Sequence, residues 1–385
     1  MDFELSQDQK ILQSSVRDFV RQEIQPLALQ IDEQHHIPDQ LVAKMAHMGF
    51  FGSYLPEAYG GSGLDILSYV IVVEEVSKAC ASNGILISAH TSLACDPILQ
   101  FGNEEQKQTY LHLLASGERI GCFLLTEPDA GSDPAGMSST YRVEGDHFIL
   151  NGTKYFTTNG GYRGIGIIFA SRDRALKHKG ISAFIVDLSS DGIEILRNEN
   201  KLGIRGSFTT DFALNDVHVP REALLGNEGQ GFMIAMETLN GGRIGVAAQA
   251  LGIAEGAFDR ALAYSKVRKQ FGSSISAFQA IQFKLADMYA RIETSKLLTY
   301  RAAWLKENKQ HFATESALCK LHASETATYV TKEAVQIHGG YGYIQDYEVE
   351  RMYRDAKITE IYEGTSEVQR LIISRALLTG GRDAS

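Results

Sequence analysis

The sequence predicts an α+β multidomain fold: an all-α N-terminal domain, an antiparallel β middle domain and an all-α C-terminal domain. Three observations predict it. Apolar residues recur at helical spacing to about residue 118. From Gly121 to Val219, short β-forming runs are punctuated by Gly145-Asp146 and Asn151-Gly152, which read as tight turns. Helical periodicity then returns to the end, in segments long enough for a bundle. The expected domains are 1–118, 119–226 and 227–385.

In the first domain, Ser6 and Gln9 form a capping box, and Leu12, Val16, Phe19 and Val20 share one helical face up to Pro26. A second helix opens near Pro38, carries Leu41, Val42, Met45 and Met48, and stops at Gly49. The glycine-rich Tyr59-Gly60-Gly61-Ser62-Gly63 follows no strand and reads as a turn. Leu67 to Phe101 is nearly all apolar and should be a buried helical layer, interrupted before Pro97, with His90 as a satisfied core histidine. The β domain opens with Gly121–Leu125 and continues through Thr140–Val143, His147–Leu150, Lys154–Thr158, Ile165–Ala170, Ile181–Val186 and Phe208–Val219. Near the end Gly364 interrupts the helical pattern, and Ser366 with Gln369 reads as a capping box opening a last helix.

Composition narrows the function. A chain of 385 residues with 44% hydrophobic and 22% charged residues can bury a large core. A net charge of −10 disfavours a nucleic-acid or anionic-membrane surface. Cys80, Cys95, Cys122 and Cys319 show no metal-ligand spacing and read as reduced core thiols, so no metal is expected. No apolar run is long enough for a membrane span, and the acidic start Met1-Asp2-Phe3-Glu4-Leu5 has no signal core or Arg-rich presequence. A cytoplasmic location is the expectation.

Dinucleotide βαβ units are absent, so a nucleotide cofactor would have to bind by another route. Thr126 to Asp133 can present hydroxyls and backbone N–H groups to an electron-rich ring or a phosphate, though a plain polar β-loop fits equally. Arg268-Lys269 reads by itself as a helix end complementing its dipole. Gly339-Gly340-Tyr341-Gly342 breaks two helices more thoroughly than a turn requires, which suits close backbone approach to a ligand. Arg243, after Asn240-Gly241-Gly242, is a cation in an apolar helix and needs an anion or carbonyl partner. Glu363 sits between Tyr362 and Gly364 at a helix-to-helix junction. Apolar surroundings there would raise its pKa towards neutrality, as a general base requires, although the stretch alone reads as an exposed Glu in a turn.

Together with Thr126-Glu127-Pro128…Gly131-Ser132-Asp133, Leu150-Asn151-Gly152, Lys201 to Ser207, Arg268…Phe271-Gly272, Gln336 to Gly342, Arg354 to Ile358 and Ile361 to Thr365, the whole chain resembles the acyl-CoA dehydrogenase family, most of all its short-chain (butyryl-CoA) branch. The resemblance implies a β-barrel-like middle domain, a C-terminal four-helix bundle, and FAD with its flavin between the two. It places Phe123, Leu125 and Thr126 at the flavin's pyrimidine side and Phe156 and Thr158 beside the ring. Ser132 would lie near both FAD and the CoA portion of the substrate. Arg268, Phe271 and Gln279 would reach the pyrophosphate and adenine half, as would Gln336, Gly339 and Gly340 from a neighbouring subunit of a homotetramer (a dimer of dimers). Thr365 and Glu367 contact FAD again. Asn240, Arg243, Tyr362, Gly364 and Arg375 fall on the substrate side.

The implied reaction is dehydrogenation of a short- to medium-chain acyl-CoA to a trans-2-enoyl-CoA. Glu363 would take the α-proton, the β-hydride would go to flavin N5, and electrons would pass to an electron-transfer flavoprotein. Three positions depart from the family pattern. Phe156 stands where Trp is common, Asn240 replaces a frequent Asp, and Arg243 occupies the position where some long-chain and isovaleryl members carry their base, which leaves Glu363 for that role. Alternatives are a branched-chain acyl-CoA dehydrogenase, a flavin oxidase or monooxygenase on the same fold, and a nucleic-acid-associated relative, which the acidic charge disfavours. Leu86, Ala89, Leu93 and Tyr362 are candidates for the acyl end, and the lack of charge among them disfavours a dicarboxylic substrate. Chain length and branching stay open.

Overall fold

The chain enters its first helix through the capping box expected at Ser6: the Gln9 N–H donates to Ser6 Oγ at 3.2 Å and the Ser6 N–H to Gln9 Oε1 at 2.9 Å. The computed structural model describes residues 4–379, so the expected domain ends at residues 1–3 and 380–385 lie outside the described residues. Helices α1 (Gln7–Phe19), α2 (Ala28–Gln34), α3 (Asp39–His47), α4 (Ile66–Ala79), α5 (Ala81–Ala89), α6 (Asp96–Phe101), α7 (Glu104–Gln106) and α8 (His112–Ala115) make up the N-terminal part. Pro26 does not stop the chain; a wide π turn at Val20–Ile24 and a tight turn at Gln25–Leu27 carry it into α2. Helix α3 opens after Pro38, and Gly49 at φ 74° follows its end.

The buried layer breaks at Cys80 rather than before Pro97. Cys80 is extended (φ −149°, ψ 106°), which separates α4 from α5. Arg351 Nη2 and Gln249 Nε2 then donate to the freed carbonyls of Ala79 and Ala81, at 2.8 and 2.9 Å. Pro97 is tolerated because a π turn at His90–Cys95 delivers it to the first turn of α6, where its missing N–H costs little. His90 is fully buried, and its Nδ1 accepts from the Gly121 N–H at 2.9 Å, tying the first strand to the helical layer.

Strands β1 (Gly121–Leu124), β2 (Thr140–Glu144), β3 (His147–Thr158), β4 (Ile165–Ser171), β5 (Ile181–Asp187), β6 (Ile193–Asn198), β7 (Thr209–Pro220) and β8 (Leu224–Leu225) form one sheet ordered β6-β7-β3-β2-β4-β5-β8. The sheet is mixed: β1 runs parallel to β4, β2 meets β4 in parallel at Thr140–Ser171, and the other ladders are antiparallel. Gly145-Asp146 makes the expected hairpin between β2 and β3. Asn151-Gly152 does not turn; β3 runs through it, slipping register against β7 between Leu150 and Gly152. Gly152 (φ 147°) sits where a Cβ would collide with Ser139, so the glycine marks a bulge and not a corner.

The C-terminal part contains α9 (Gly231–Val267), a short ribbon of β9 (Lys269–Gln270) and β10 (Ser273–Ser274), α10 (Gln279–Glu307), α11 (Ala313–His338), α12 (Val349–Ala356) and α13 (Ser366–Leu378). Helices α9, α10 and α11 pack on one another, and α12 and α13 pack on α11. Helices α4 and α5 lie against α9 as well. Gly252 and Gly256 make that approach possible, because a Cβ at either would overlap the Glu74 or Lys78 carbonyl. Among the described residues all four cysteines are free and buried, no His/Cys/Asp/Glu group could hold a metal, and no helix is long and apolar enough to cross a membrane.

Candidate active site

Between the end of α12 and the start of α13 the backbone takes two successive positive-φ steps, at Glu363 (52°) and Gly364 (91°). A left-handed conformation is free for glycine and costs a glutamate about 1–2 kcal/mol. The surroundings hold it. Gln369 Nε2 donates to the Gly364 and Glu363 carbonyls at 2.7 and 3.2 Å, and Lys320 Nζ from α11 donates to the Gly364 carbonyl at 2.7 Å. The expected Ser366–Gln369 capping box therefore does not form, since the Gln369 amide is engaged elsewhere. Helix α13 is capped one residue earlier, by Thr365 Oγ1 accepting from the Val368 N–H at 3.3 Å.

This backbone turns the Glu363 side chain against α9. A Cβ on Gly242 would overlap both Glu363 Oε2 and Leu93 Cδ2, so the Glu363 carboxylate and the buried layer meet at one glycine. Glu363 Oε2 is sealed from solvent without a hydrogen-bond partner among the described residues. Burial lifts the carboxyl to about 7, against the opposing charges of Lys320 and Arg243. Arg243 is buried, donates to Asn240 Oδ1 at 2.5 Å and leaves Nε unpartnered; burial brings its guanidinium down to about 10. The carbonyl partner that sequence reasoning allowed for Arg243 is thus the Asn240 side-chain oxygen, while Glu363 acts on it through charge alone. Tyr362 donates its hydroxyl to Gln249 Oε1. Leu86 and Ala89 are buried on α5, and Asn159 Nδ2 holds the Leu86 carbonyl at 3.1 Å.

A second group comes from the sheet. Phe123 (in β1), Leu125 and Thr126 lead into a loop that a buried ion pair fastens to β3: Lys154 Nζ donates to Glu127 Oε1 at 2.7 Å. Burial opposes the charge of Glu127, but Lys154 and donors from Ser138 and Ser139 hold its carboxyl down at about 2. The Tyr155 N–H adds a bond to the Thr126 carbonyl at 2.9 Å. Phe156 falls in the second register shift of β3 against β7, with φ 57°, its N–H donating to Asp211 Oδ1 at 3.0 Å. The bulge leaves the Phe156 ring 58% exposed. Thr158 pairs with Thr209 in the ladder, and Ser132 is exposed on the loop.

A third group lies at the far end of α9. A cavity of about 510 Å³ is lined by Tyr264, Arg268, His338, Gly339, Gly340 and Tyr341, with the Arg268 guanidinium 5.4 Å from the Tyr341 ring centre. A Cβ at Gly339 or Gly340 would meet nothing within 4 Å, so both present open backbone. Phe271 is 96% exposed, and Gln279 and Gln336 are exposed as well. Arg268 and Gly339–Gly340, expected from two subunits, line the same cavity in one chain. Helix α9 separates this cavity from the base: Gly242 to Arg268 is 26 residues, about 39 Å of helix. Thr365 caps α13, Glu367 is exposed in its first turn, and Arg375 is exposed near its end.

Lys320, Gln369, Gly242, Glu127 and Lys154 were not singled out from the sequence as site residues. Lys320 carried a usable signal, the one that marked Arg243: a cation flanked by apolar residues, here Leu318, Cys319 and Leu321. Gly242, Glu127 and Lys154 carried none, because each acts through a partner distant in sequence, and Gln369 read instead as part of a capping box.

Three family models match the chain in order: acyl-CoA dehydrogenase N-terminal domain over residues 6–118, middle domain over 122–217 and C-terminal domain over 229–378. The chain is 52% identical to the short-chain specific acyl-CoA dehydrogenase of Clostridium acetobutylicum, over 97% of this chain and 99% of that one. It is 49% identical to the mitochondrial short-chain specific enzyme of Homo sapiens, covering 98% and 92%. Among solved structures, butyryl-CoA dehydrogenase from Megasphaera elsdenii superimposes with a TM-score of 0.96 at 46% identity, covering 98% and 100%. A chain from work on the electron transferring flavoprotein of Acidaminococcus fermentans superimposes with a TM-score of 0.97 at 49% identity, covering all of both chains.

Proposed function

Because the chain belongs to the acyl-CoA dehydrogenase family over its whole length, we propose that it oxidises a short-chain acyl-CoA to the trans-2-enoyl-CoA with Glu363 as the base. The observation that carries the assignment is the Glu363 carboxylate: sealed and unpartnered at Oε2, lifted to about 7, and next to Leu93 of the apolar layer. The α-proton of a thioester is too weakly acidic for a carboxylate in water, so the base has to act in a dry site beside a polarised carbonyl. Gln369 and Lys320 occupy the carbonyl oxygens of the Glu363–Gly364 step and neither takes the Glu363 N–H, which is this chain's donor for the thioester oxygen. Buried Leu86, Ala89 and Leu93 form the wall for the acyl group. Their shortage of charge and the short-chain specificity named for the relatives favour a four-carbon substrate over longer or dicarboxylic ones.

FAD is the cofactor, and the residues fit it. An aromatic ring stands exposed on the Phe156 bulge, the Thr126 loop is locked beside it, and an open Gly339–Gly340 backbone with Arg268 suits a pyrophosphate. Bound FAD supplies the hydride acceptor. Phe123, Leu125, Thr126, Ser132, Phe156, Thr158, Thr365 and Glu367 would hold the flavin half, and Arg268, Phe271, Gln279, Gln336, Gly339 and Gly340 the adenine half.

The roughly 39 Å of α9 between base and cavity exceeds the reach of one FAD, so the two halves come from different chains of an oligomer. Phe283, Tyr289, Leu297 and Trp304 on α10, with Leu371 and Leu377 on α13, expose apolar surface of the kind an assembly covers, and a tetramer is the proposed state. Gly340→Val tests this. The new side chain meets nothing in its own chain, so the fold survives, while FAD occupancy and oligomer size fall together in light scattering and flavin absorbance. A monomer with full FAD overturns the shared site. An electron-transfer flavoprotein is the proposed acceptor, in keeping with the work that yielded the structural neighbour from Acidaminococcus.

The base assignment fixes the pH dependence. Glu363 must be ionised to take a proton, so turnover of butyryl-CoA with an artificial acceptor rises with pH to a midpoint near 7 and falls tenfold per unit below it. A midpoint near the ordinary glutamate value would count against a buried base.

A further inference from the structure

We propose that Lys320 is a positioning residue for the reaction, holding the Gly364 carbonyl and supplying a fixed positive charge that sets the basicity of Glu363. The inference rests on Glu363 being the base. Lys320 lies in the middle of α11 with none of its side chain exposed. A buried ammonium is unfavourable unless something requires it, and it has three donors to satisfy. Among the described residues its one hydrogen bond is the 2.7 Å contact to the Gly364 carbonyl.

A neutral side chain could make that bond. Gln369 already does, donating to the same oxygen at 2.7 Å, so fastening alone leaves the charge without a use. The use lies one residue away. The Gly364 carbonyl belongs to the step that follows Glu363, where the backbone passes through its two positive-φ angles, so a cation bound there is held at fixed range from the carboxylate. Among the groups that act on Glu363 and Lys320 are Arg243 from α9, Tyr69 from α4, Glu360 and Tyr362 from the junction, and Glu367 from the first turn of α13. Of these only Arg243 shares the sign of Lys320, and Arg243 is tied to Asn240. Lys320 is thus the cation fixed to the base's own backbone. Its ammonium is also titratable within the working range, since burial brings it down to about 8.

Two variants read the charge separately from the fastening. Lys320→Gln keeps a donor of similar reach and loses the charge. The acid midpoint of kcat/KM should then rise by at least half a pH unit, with FAD content and melting profile retained. Lys320→Arg keeps the charge, so its acid midpoint should stay at the wild-type value. The proposal is overturned if folded, FAD-loaded Lys320→Gln keeps the wild-type midpoint, or if folded, FAD-loaded Lys320→Arg shifts it upward by half a unit or more. Should one variant fail to fold, the other decides. Glu363→Gln run in parallel separates the two readings. Turnover surviving in that variant refutes the base itself, whereas a dead Glu363→Gln beside an unaltered Lys320→Gln refutes only the role of Lys320.

Discussion

Glu363→Gln is expected to retain FAD and to bind acyl-CoA, yet to leave the flavin unbleached on substrate addition, with a rate reduced by roughly 10⁴-fold. The swap keeps volume and shape and removes only the proton acceptor. The Gly364 and Glu363 carbonyls still meet Lys320 and Gln369, so the junction should hold its geometry. A second effect runs the other way. An acid whose pKa is raised on folding binds its proton more tightly in the folded state, so its contribution to stability is present below the unfolded value and is lost as pH rises to about 7. Above pH 7 the wild type carries the whole penalty and the glutamine variant does not. Glu363→Gln should therefore be more stable than wild type at pH 8, by roughly 1–3 kcal/mol, and similar to it at pH 4.5. Stopped-flow bleaching and urea titrations at the two pH values measure both effects. Fast bleaching, or equal stability at pH 8, refutes a buried base.

Gly242→Ala is the second large effect. Its Cβ would overlap Glu363 Oε2 and Leu93 Cδ2, so the carboxylate has to leave its position or α9 has to withdraw from the buried layer. Misplacing a reacting group by about 1 Å costs roughly 100-fold, and kcat should fall by at least that while FAD remains bound. The neighbouring Gly241 provides the control. A Cβ there meets the Lys306 ammonium at 2.8 Å, the mobile end of a side chain that pairs with Asp96 at 2.9 Å and can shift. Gly241→Ala should stay within tenfold of wild type. Equal losses at the two positions would mean that α9 tolerates no side chain at either, and the specific conflict with Glu363 would fall.

Periodicity carried the helical and β segments well because amphipathic spacing is a local property. Ser6 and Gln9 cap α1, Gly49 follows α3, and Gly145-Asp146 turns β2 into β3, all through contacts within a few residues. The local readings that failed were decided by competing hydrogen-bond partners, most of them distant in sequence. Asn151-Gly152 looks like a hairpin, but β7 pairs along nearly all of β3 and draws the dipeptide into the strand as a bulge. Ser366 and Gln369 have the spacing of a capping box, but the buried Gln369 amide is taken by two carbonyls of the preceding turn. Pro97 looks like a break, yet a π turn places it where it is harmless, while the real break at Cys80 has buried carbonyls on either side, at Ala79 and Ala81, met by Arg351 and Gln249, far along the chain.

By itself, then, the sequence determined the succession of helical, β and helical parts and the family through ordered motifs, and it pointed to Glu363 as the carboxylate proposed as base. The tertiary structure decided what that carboxylate experiences. Its sealed oxygen, the glycine that makes room for it and the two cations that oppose its desolvation come from α9 and α11, and desolvation depends on what closes over a group rather than on its neighbours in the chain. The same holds for the far cavity: the length of α9 can be counted from residues, but only the packed molecule shows that Glu363 lies against Gly242 while Arg268 lines a cavity some 26 residues further along the helix, about 39 Å away.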